Sequence, residues 1–421
     1  MQEADDRASD AREGPRVLVL PSGYPRDRED AKLIFVAEEV EALARLDVRL
    51  DVLLPETTTR TCAGVTFHTL GGTGRSPLAV CSVLALGRRQ GRCLPKAPLW
   101  KSYHLARKNW LIARRAKLCG DEVIHSHFAW PDGTGAVAAA REAGAGSVVT
   151  LRGFDVLIEE SSDYGGRRDP LYEEALALAL AHADRVTAAS STTRDAALAL
   201  GCPAERISVI PNGVDLDAFS PGEGGGLRAE LGIAQEEIVF LMVGWLNLRK
   251  RNVDLVRVVG TLGRDYGPVR IVIVGEGEER GAIEREAERA GLAGRVLFAG
   301  RVSHGDLPAY YRAADVLAHT SRVEGFCNVA LEGAACGRAI LATRTGMMKD
   351  YLVDGMSAVL FEPGDLEGLA RGLRAVRSPE VRKRLGEGAR RAAEGLSLAA
   401  RARAFRDVYV EVRAKAREAE A

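Results

Sequence analysis

Short apolar runs, each too brief for a helix, recur along this chain between alanine-rich segments of helical period. That alternation restricts the fold to α/β architectures with parallel sheets covered on both faces. Arg16–Leu20 (RVLVL), closed by Pro21-Ser22-Gly23, is the first run, and Val48–Leu54, Glu122–His125, Ser147–Leu151, Arg185–Ala189 and Ile207–Ile210 continue the series. The pattern breaks at Val214–Gly226 (VDLDAFSPGEGGG), where Ser220-Pro221 and three consecutive glycines read as an exposed linker. A second series follows at Ile238–Gly244, Arg270–Val274, Val296–Phe298, Val316–Ala318, Ala339–Ala342 and Val359–Phe361. Helices are expected near 29–45, 252–262, 278–290, 306–313, 326–335, 366–376 and 398–418. The expected division is a disordered tail over 1–15, a Rossmann-like domain over 16–214, a linker over 215–226 and a second Rossmann-like domain over 227–395. A charged helix over 396–421 would end the second domain or cross back to the first. Two doubly wound sheets facing one another leave a cleft between the carboxyl ends of their strands, where ligands bind.

Composition narrows what the cleft can do. Lys plus Arg and Asp plus Glu are balanced at 58 each, so no global charge draws the chain to nucleic acid. The seven cysteines are scattered and never spaced as CxxC, which argues against a zinc cage or a disulfide framework and suits a reducing cytoplasm. Met1–Gly14 is acidic and polar, unlike a signal peptide, and no run approaches the roughly 18–20 apolar residues of a membrane span. One imbalance is local. Thr57–Gly120 holds no acidic residue but 12 Lys or Arg, ten of them between Arg88 and Lys117. A solvated basic face and an anionic membrane surface met through residues 88–117 are both open, with Trp100, Tyr103, Leu105, Trp110, Leu111 and Ile112 as the apolar partners the second would need.

The most informative segment is Ser321–Gly337 (SRVEGFCNVALEGAACG), a loop that follows an apolar strand and turns into a helix at about Phe326. A helix start leaves N–H groups without intrahelical partners, and Gly325 lets the backbone of Gly325, Phe326, Cys327 and Asn328 approach a phosphate or sugar hydroxyl. Glu324 stands just ahead of that helix and Glu332 about two turns into it. A carboxylate accepts two hydrogen bonds at once, which suits a diol.

On these residues the chain resembles the large retaining glycosyltransferase family often called family four, whose hallmark is two acidic residues separated by seven others, as Glu324 and Glu332 are. Further segments are similar: Ile210-Pro211-Asn212-Gly213-Val214-Asp215, Val243-Gly244 with Lys250, Val296–Gly300, Tyr310–Val316, His125-Ser126-His127 through Pro131-Asp132-Gly133, and Arg152-Gly153-Phe154-Asp155. The resemblance covers roughly residues 16–390. It implies the GT-B architecture of two Rossmann-like domains facing across a central cleft, with acceptor on the first and nucleotide-sugar donor on the second. It implies a retaining transferase that moves a sugar from a nucleotide-diphosphate sugar, a UDP-sugar, to a lipid-linked or polysaccharide acceptor at the inner face of a membrane, without metal or cofactor. By the same resemblance Glu324, His127 and Lys250 are the catalytic candidates. Glu332 would hold the ribose, Arg249 would join Lys250 at the diphosphate, and Gly325–Asn328 would bind the phosphates and sugar. Gly300, Arg301 and Val302 would read the base, Gly23 would line the donor loop, and Arg152 and Asp155 would meet the acceptor.

Three departures accompany the likeness. Trp245 stands where many members carry an arginine, Thr345-Gly346-Met347 keeps one glycine of two, and the loop holding Gly23 is reduced. They leave a non-catalytic nucleotide-sugar-binding partner as one rival, and the shared architecture leaves a UDP-sugar epimerase as another. Among local features, Arg152 and Asp155 could be an ion pair, and His125 and His127 are expected on opposite faces of their strand. Ile271–Gly281 (IVIVGEGEERG) misses the dinucleotide fingerprint by one residue, and Cys327 and Cys336 read as buried small hydrophobes rather than nucleophiles.

Overall fold

The computed structural model describes residues 14–21, 24, 33–54, 60–62, 65–69, 99–224 and 226–420. Gly23, most of the expected tail (residues 1–13), residues 29–32 of the first expected helix and residues 88–98 of the basic segment lie outside them.

Both series of apolar runs are strands. The first sheet contains β1 (Arg16–Leu20), β2 (Arg49–Leu54), β3 (Arg60–Cys62), β4 (Val65–Thr69), β5 (Val123–His127), β6 (Gly146–Leu151), β7 (Arg185–Ala188) and β8 (Ile207–Val209), in the spatial order β3-β4-β2-β1-β5-β6-β7-β8. All neighbours are parallel except β3, which runs antiparallel to β4. The second contains β9 (Ile238–Val243), β10 (Val269–Val274), β11 (Val296–Gly300), β12 (Val316–His319), β13 (Ala339–Thr343) and β14 (Val359–Phe361), all parallel, in the order β11-β10-β9-β12-β13-β14. These are two Rossmann-like domains. In each the order reverses once, between β1 and β5 and between β9 and β12, and a crevice for ligand opens beyond the strand ends at such a reversal.

Burial explains the composition of the strands. Every residue of β6 and β13 is buried, so alternation gives way to continuous apolar or small residues; β5 is buried throughout as well, its two histidines included. Six helices matter below: α1 (Ile34–Leu43), α2 (Leu99–Cys119), α3 (Thr134–Ala143), α4 (Ser191–Ala199), α5 (Asn328–Ala335) and α6 (Leu398–Glu420). The C-terminal helix α6 packs on α1 and β6 of the first sheet. Its Ala402, Phe405, Tyr409 and Val412 are buried among Val17, Val40, Val52 and Val148, and a bridge between Val214 and Ser397 ties its approach to the chain beyond β8.

Several expectations need correction. The β3–β4 pair was not anticipated, because only Val65 and Phe67 are apolar in a segment that alternates with Thr66 and His68. A helix at Pro379–Glu394, capped by the Ser378 side chain on the Val381 N–H, was also missed, since its charged residues hide the apolar stripe. The first helix spans 34–43 among the described residues rather than 29–45. Ile112, expected to face a membrane, is fully buried with Leu18, Leu20 and Ile124.

The first domain's core includes residues from the last segment of the chain, so truncating one should unfold a region far away in sequence. Phe405→Ala is expected to cost about 3–5 kcal/mol by leaving a cavity. Urea unfolding of the full chain, followed by tryptophan fluorescence, measures it.

Candidate functional site

At the second switch point, β9 ends at Val243 and the chain runs through Gly244 to a short turn over Leu248–Lys250, while β12 ends in His319 and leads to Glu324. These loops converge on one carboxylate oxygen. Glu324 Oε1 accepts from Arg249 Nη1 at 2.7 Å and from Lys250 Nζ at 2.8 Å, with His319 Nε2 at 3.3 Å. Burial pushes the Glu324 carboxyl up. The positive charges of Lys250 and then Arg249 outweigh it and hold the group well below the usual carboxylate range. One anion against two cations leaves the cluster with a surplus positive charge. Arg249 also donates to the Val323 carbonyl at 2.6 Å and lies over the Tyr164 ring of the first domain, 4.6 Å from its centroid.

Helix α5 opens two residues later than the sequence suggests. It begins at Asn328, with Cys327 held at φ 92° ahead of it, so the start near 326 is corrected and Glu332 lies just over one turn in. A non-glycine residue at positive φ is strained, and such strain clusters at working sites. The loop is gripped across the cleft. The Gly325 carbonyl accepts from Ser190 Oγ at 2.6 Å and from Thr193 Oγ1 at 3.1 Å, at the start of α4, and Asn212 Nδ2 donates to Asn328 Oδ1 at 2.7 Å. Gly325 and Gly153 meet backbone to backbone: a Cβ on Gly325 would fall 2.4 Å from the Arg152 carbonyl oxygen. On the other side, Gly346 presses against the Phe326 carbonyl, to which the Met347 N–H donates at 2.8 Å. The one glycine kept in that loop is thus the one needed for contact.

Glu332 accepts from the Tyr311 hydroxyl at 2.6 Å and has His304 Nε2 at 3.5 Å. The other ring nitrogen of His304 faces Glu38 on α1 at 3.7 Å, so this histidine spans the cleft between two acids. Burial pulls the His304 ring down, but its hydrogen bond to Glu332 and that residue's charge raise it above the ordinary value of 6.5. Burial pushes Glu38 up to about 7.

The first switch point is organised around Glu39, on α1, which sequence reasoning did not single out. Glu39 Oε2 pairs with Arg401 from α6, at 2.7 Å through Nε, and with Arg152 Nη2 at 3.1 Å, while Oε1 faces His127 Nε2 at 3.5 Å. Burial opposes the Glu39 charge, and Arg401, His127 and Arg152 overcome it, leaving the carboxyl far below its usual range. Arg152 Nη2 also lies 2.5 Å from His127 Nδ1. Because guanidinium only donates, Nδ1 must accept, and the neutral ring carries its proton on Nε2 toward Glu39. Burial lowers His127 well below 6.5 despite Glu39. His125 bonds the Tyr409 hydroxyl at 2.8 Å and Thr150 Oγ1 at 2.7 Å, and burial takes it down to about 3. The rings of His125 and His127 lie 4.5 Å apart on one face. The expectation of opposite faces is corrected, since residues two apart on a strand share a side.

Arg152 and Asp155 are not an ion pair. The guanidinium turns to Glu39 and to Asn212 Oδ1 at 2.8 Å, whereas Asp155 accepts from the N–H groups of Ala129 and Arg152, at 2.7 and 2.8 Å, and from the Tyr172 hydroxyl at 3.0 Å. Asp155 thereby fixes the loop carrying Phe128, another non-glycine residue at positive φ, 74°. Gly300 at φ 68°, exposed Arg301 and half-buried Val302 follow the edge strand β11, two strands from the Glu324 cluster. Gly275 and Gly277 lie against the Gly244–Leu246 loop, where a Cβ would strike the carbonyls of Gly244 and Leu246 at 2.0 and 2.2 Å. They serve packing. Trp245, 59% exposed, donates to Glu278 at 2.9 Å on the rim. Cys327 and Cys336 are buried, as expected.

Comparisons with known proteins agree with this geometry. The family described as glycosyl transferases group 1 matches residues 226–392, and glycosyltransferase family 4 matches residues 34–218. A D-inositol 3-phosphate glycosyltransferase of Frankia alni is 31% identical over 299 residues, 67% of this chain and 72% of that protein. The protein of the same name from Geodermatophilus obscurus is 32% identical over 66% of this chain, a match spanning 63% of the relative's length. This chain belongs to the family-4 type of glycosyltransferases. Its fold is GT-B: Anabaena HepE in complex with UDP aligns with a TM-score of 0.71 at 20% identity, covering 94% of this chain and all of that one. Sucrose-phosphate synthase from Thermosynechococcus elongatus aligns at 0.73, also at 20% identity, over 95% of this chain and all of its own.

The His304 bridge carries a pH signature. A raised histidine stabilises the closed pairing fully below its unfolded value of 6.5 and loses that effect as pH rises through the folded value. Buried Glu38 acts in the same sense, since its ionisation between 4.5 and about 7 opposes the fold. The thermal midpoint should therefore fall from about pH 6 to 8, and His304→Gln should flatten the decline. An equally steep profile in that variant would exclude the bridge as its cause.

Proposed function

We propose that the chain is a retaining glycosyltransferase that moves a sugar from a nucleotide-diphosphate sugar, a UDP-sugar, to a lipid-linked or saccharide acceptor. The observation that carries this reading is the single Glu324 oxygen shared by Arg249 and Lys250, beside the opening of α5. Cleaving a sugar–phosphate bond places negative charge on the diphosphate as the sugar becomes oxocarbenium-like, so cations already in position lower the barrier. In this account Lys250 and Arg249 transfer their hydrogen bonds from Glu324 to the arriving diphosphate. The freed Glu324 carboxylate then accepts from sugar hydroxyls, and the N–H groups at Gly325–Asn328 face phosphate. No metal is required, because the two side chains and the helix start neutralise the leaving group. Glu332, oriented by Tyr311, takes the ribose diol, and residues 300–302 take the base.

His127 is a poor general base as placed. It is neutral, completely buried and accepts from Arg152 through Nδ1. We assign it a donor's role, its Nε2–H turning its hydrogen bond from Glu39 to a sugar oxygen. The acceptor hydroxyl attacks from the departing phosphate's own face and gives its proton to that phosphate as the sugar–phosphate bond breaks, so the anomeric configuration is retained. Arg152 and Asp155 hold the acceptor side, Arg152 through charge and Asp155 by fixing its loop. Glu39 against Arg152 and Arg401 again leaves a surplus positive charge. That favours, as a second reading, a phosphorylated polyol acceptor of the kind named for the relatives.

We further propose a cytoplasmic protein held at the inner membrane face by the basic side of α2. No helix among the described residues is long and apolar enough to cross a membrane. On α2, Arg114 is exposed and stacks at 5.7 Å on Trp110, while Lys108 is engaged by Asp132.

A panel of UDP-, GDP- and ADP-sugars, scored by slow donor hydrolysis, tests the main reading. Wild type should turn over the UDP-sugar, and Lys250→Ala should lose about 10²–10³ in kcat. Glu332→Ala should raise the donor KM more than it lowers kcat. No hydrolysis of any donor, or Glu324→Ala as fast as wild type, contradicts it. A product isomeric with the donor would identify an epimerase instead, and calorimetric binding without UDP release a non-catalytic partner. Adding inositol phosphates and lipid-linked saccharides separately distinguishes the acceptors. For the membrane, neutralising Arg107, Lys108, Arg114 and Arg115 together should abolish binding to anionic vesicles. Unchanged binding rules that surface out.

A further inference from the structure

Away from the cleft, three residues with metal-binding side chains, Asp51, His68 and Cys119, meet at one spot in the first domain, and Asp121 lies close by. Asp51 is the third residue of β2, His68 the fourth of β4, Cys119 the last of α2, and Asp121 lies two residues before β5. The parallel register sets His68 beside Leu53, so its ring lies diagonal to Asp51 on the same face. His68 Nε2 contacts Asp51 Oδ1 and lies 4.0 Å from Cys119 Sγ. One ligand atom each from Asp51, His68 and Cys119 lies within 4.8 Å of the others. Gly120, at φ 68°, reverses the chain as α2 ends, with the Asp121 N–H returning to the Ala116 carbonyl at 2.9 Å, and this brings Asp121 beside Cys119.

Asp121 is the second observation. It is 93% buried on the 7% exposure of its surface, and neither carboxylate oxygen has a hydrogen-bond partner. An unsatisfied buried carboxyl is costly. In the cleft, by contrast, Glu39 has two arginines against it and no such deficit. Among the described residues no lysine or arginine pairs with Asp51 or Asp121, and a thiol and an imidazole stand beside Asp51 where a metal would complete the group.

We propose that Asp51, His68, Cys119 and Asp121 form a binding site for a thiolate-accepting divalent transition metal, zinc foremost. Thiolate, imidazole and carboxylates together favour zinc over magnesium or calcium, which take oxygen donors. Ligand-to-ligand edges in a tetrahedral zinc site run about 3.3–3.6 Å, so the 4.0 Å between Cys119 and His68 needs only a small contraction. Binding displaces the Cys119 thiol proton, which leaves to solvent as the metal enters. Cys119 and Asp51 are partly exposed, giving a path in, and Leu118 beside them is 69% exposed. Asp51 and His68 lie within their strands and Cys119 and Asp121 ahead of β5, whereas the cleft lies beyond the strands' C-terminal ends. The site's metal therefore fastens α2 and the β2–β4 edge to the sheet and takes no part in sugar transfer.

Full-length protein stripped with chelator and titrated with zinc or cobalt(II) decides the matter. One metal per chain should bind, and the cobalt form should show a thiolate-to-cobalt charge-transfer band. Both should vanish in Cys119→Ser, and Asp121→Asn should weaken binding at least about tenfold. Cys202→Ser, a buried cysteine elsewhere, should behave as wild type. Near-ultraviolet circular dichroism checks folding, and if Cys119→Ser fails it, the isosteric Asp121→Asn carries the test. Absence of binding, a cobalt spectrum without the thiolate band, or wild-type affinity in Asp121→Asn overturns the proposal. Donor hydrolysis is independent of it.

Discussion

A carboxylate taken out of water stays charged only if cations and hydrogen bonds replace the water it loses, and each domain of this chain is arranged around one such group. In the first domain it is Glu39, held by Arg152, Arg401 and His127; in the second it is Glu324, held by Arg249, Lys250 and His319. The partners come from separate stretches of chain. Glu39 joins α1, the loop after β6 and the C-terminal helix across 362 residues, and Glu324 joins the loops after β9 and β12. Removing one partner of a buried pair leaves an uncompensated charge costing about 3–5 kcal/mol. Each cluster is therefore as much a structural clamp as a chemical resource, and each carries more positive charge than negative, the state an anionic substrate needs to find.

The two clusters are brought together by close backbone contact. Gly153 and Gly325 leave no room for a side chain, so the loop ahead of α5 lies directly on the loop after β6. The hydroxyls of Ser190 and Thr193 and the amide of Asn212 then hold it by its carbonyl and by Asn328. Further out, Ser191 donates to Asp350 at 2.7 Å and Arg322 to Glu159 at 3.4 Å. Among the described residues these polar contacts across the cleft are exchangeable, which suits the opening and closing that the proposed transfer would require.

Much of this was legible in the sequence because it is local. Strand-length apolar runs, the glycine-rich break at 222–226 and the spacing of Glu324 and Glu332 are all properties of single segments. The two Rossmann-like sheets followed from them, and the family resemblance singled out Glu324, Lys250 and Arg249, but their meeting at one carboxylate oxygen is seen only in the structure. What escaped is the product of chain crossing. Glu39 and Arg401 have no motif of their own and acquire meaning only where α6 meets α1. His304 and Tyr311 were unremarkable residues of a loop and a helix until they closed on Glu332. The strained Phe128 and Cys327 carry side chains that give no hint of positive φ. The histidine pair was misread for a simpler reason: strand periodicity places His125 and His127 on one side, where Thr150 and Tyr409 take the first and Arg152 and Glu39 the second.

The central claim is that the surplus charge beside Glu324 exists to receive a diphosphate. Calorimetric titration with UDP and with uridine, on wild type and on Lys250→Met, measures that directly. The account predicts that the variant binds UDP at least about tenfold more weakly, roughly 1.4 kcal/mol, while its weak affinity for uridine is unchanged. Equal affinity for UDP in both proteins, or a parallel loss for uridine, would contradict it.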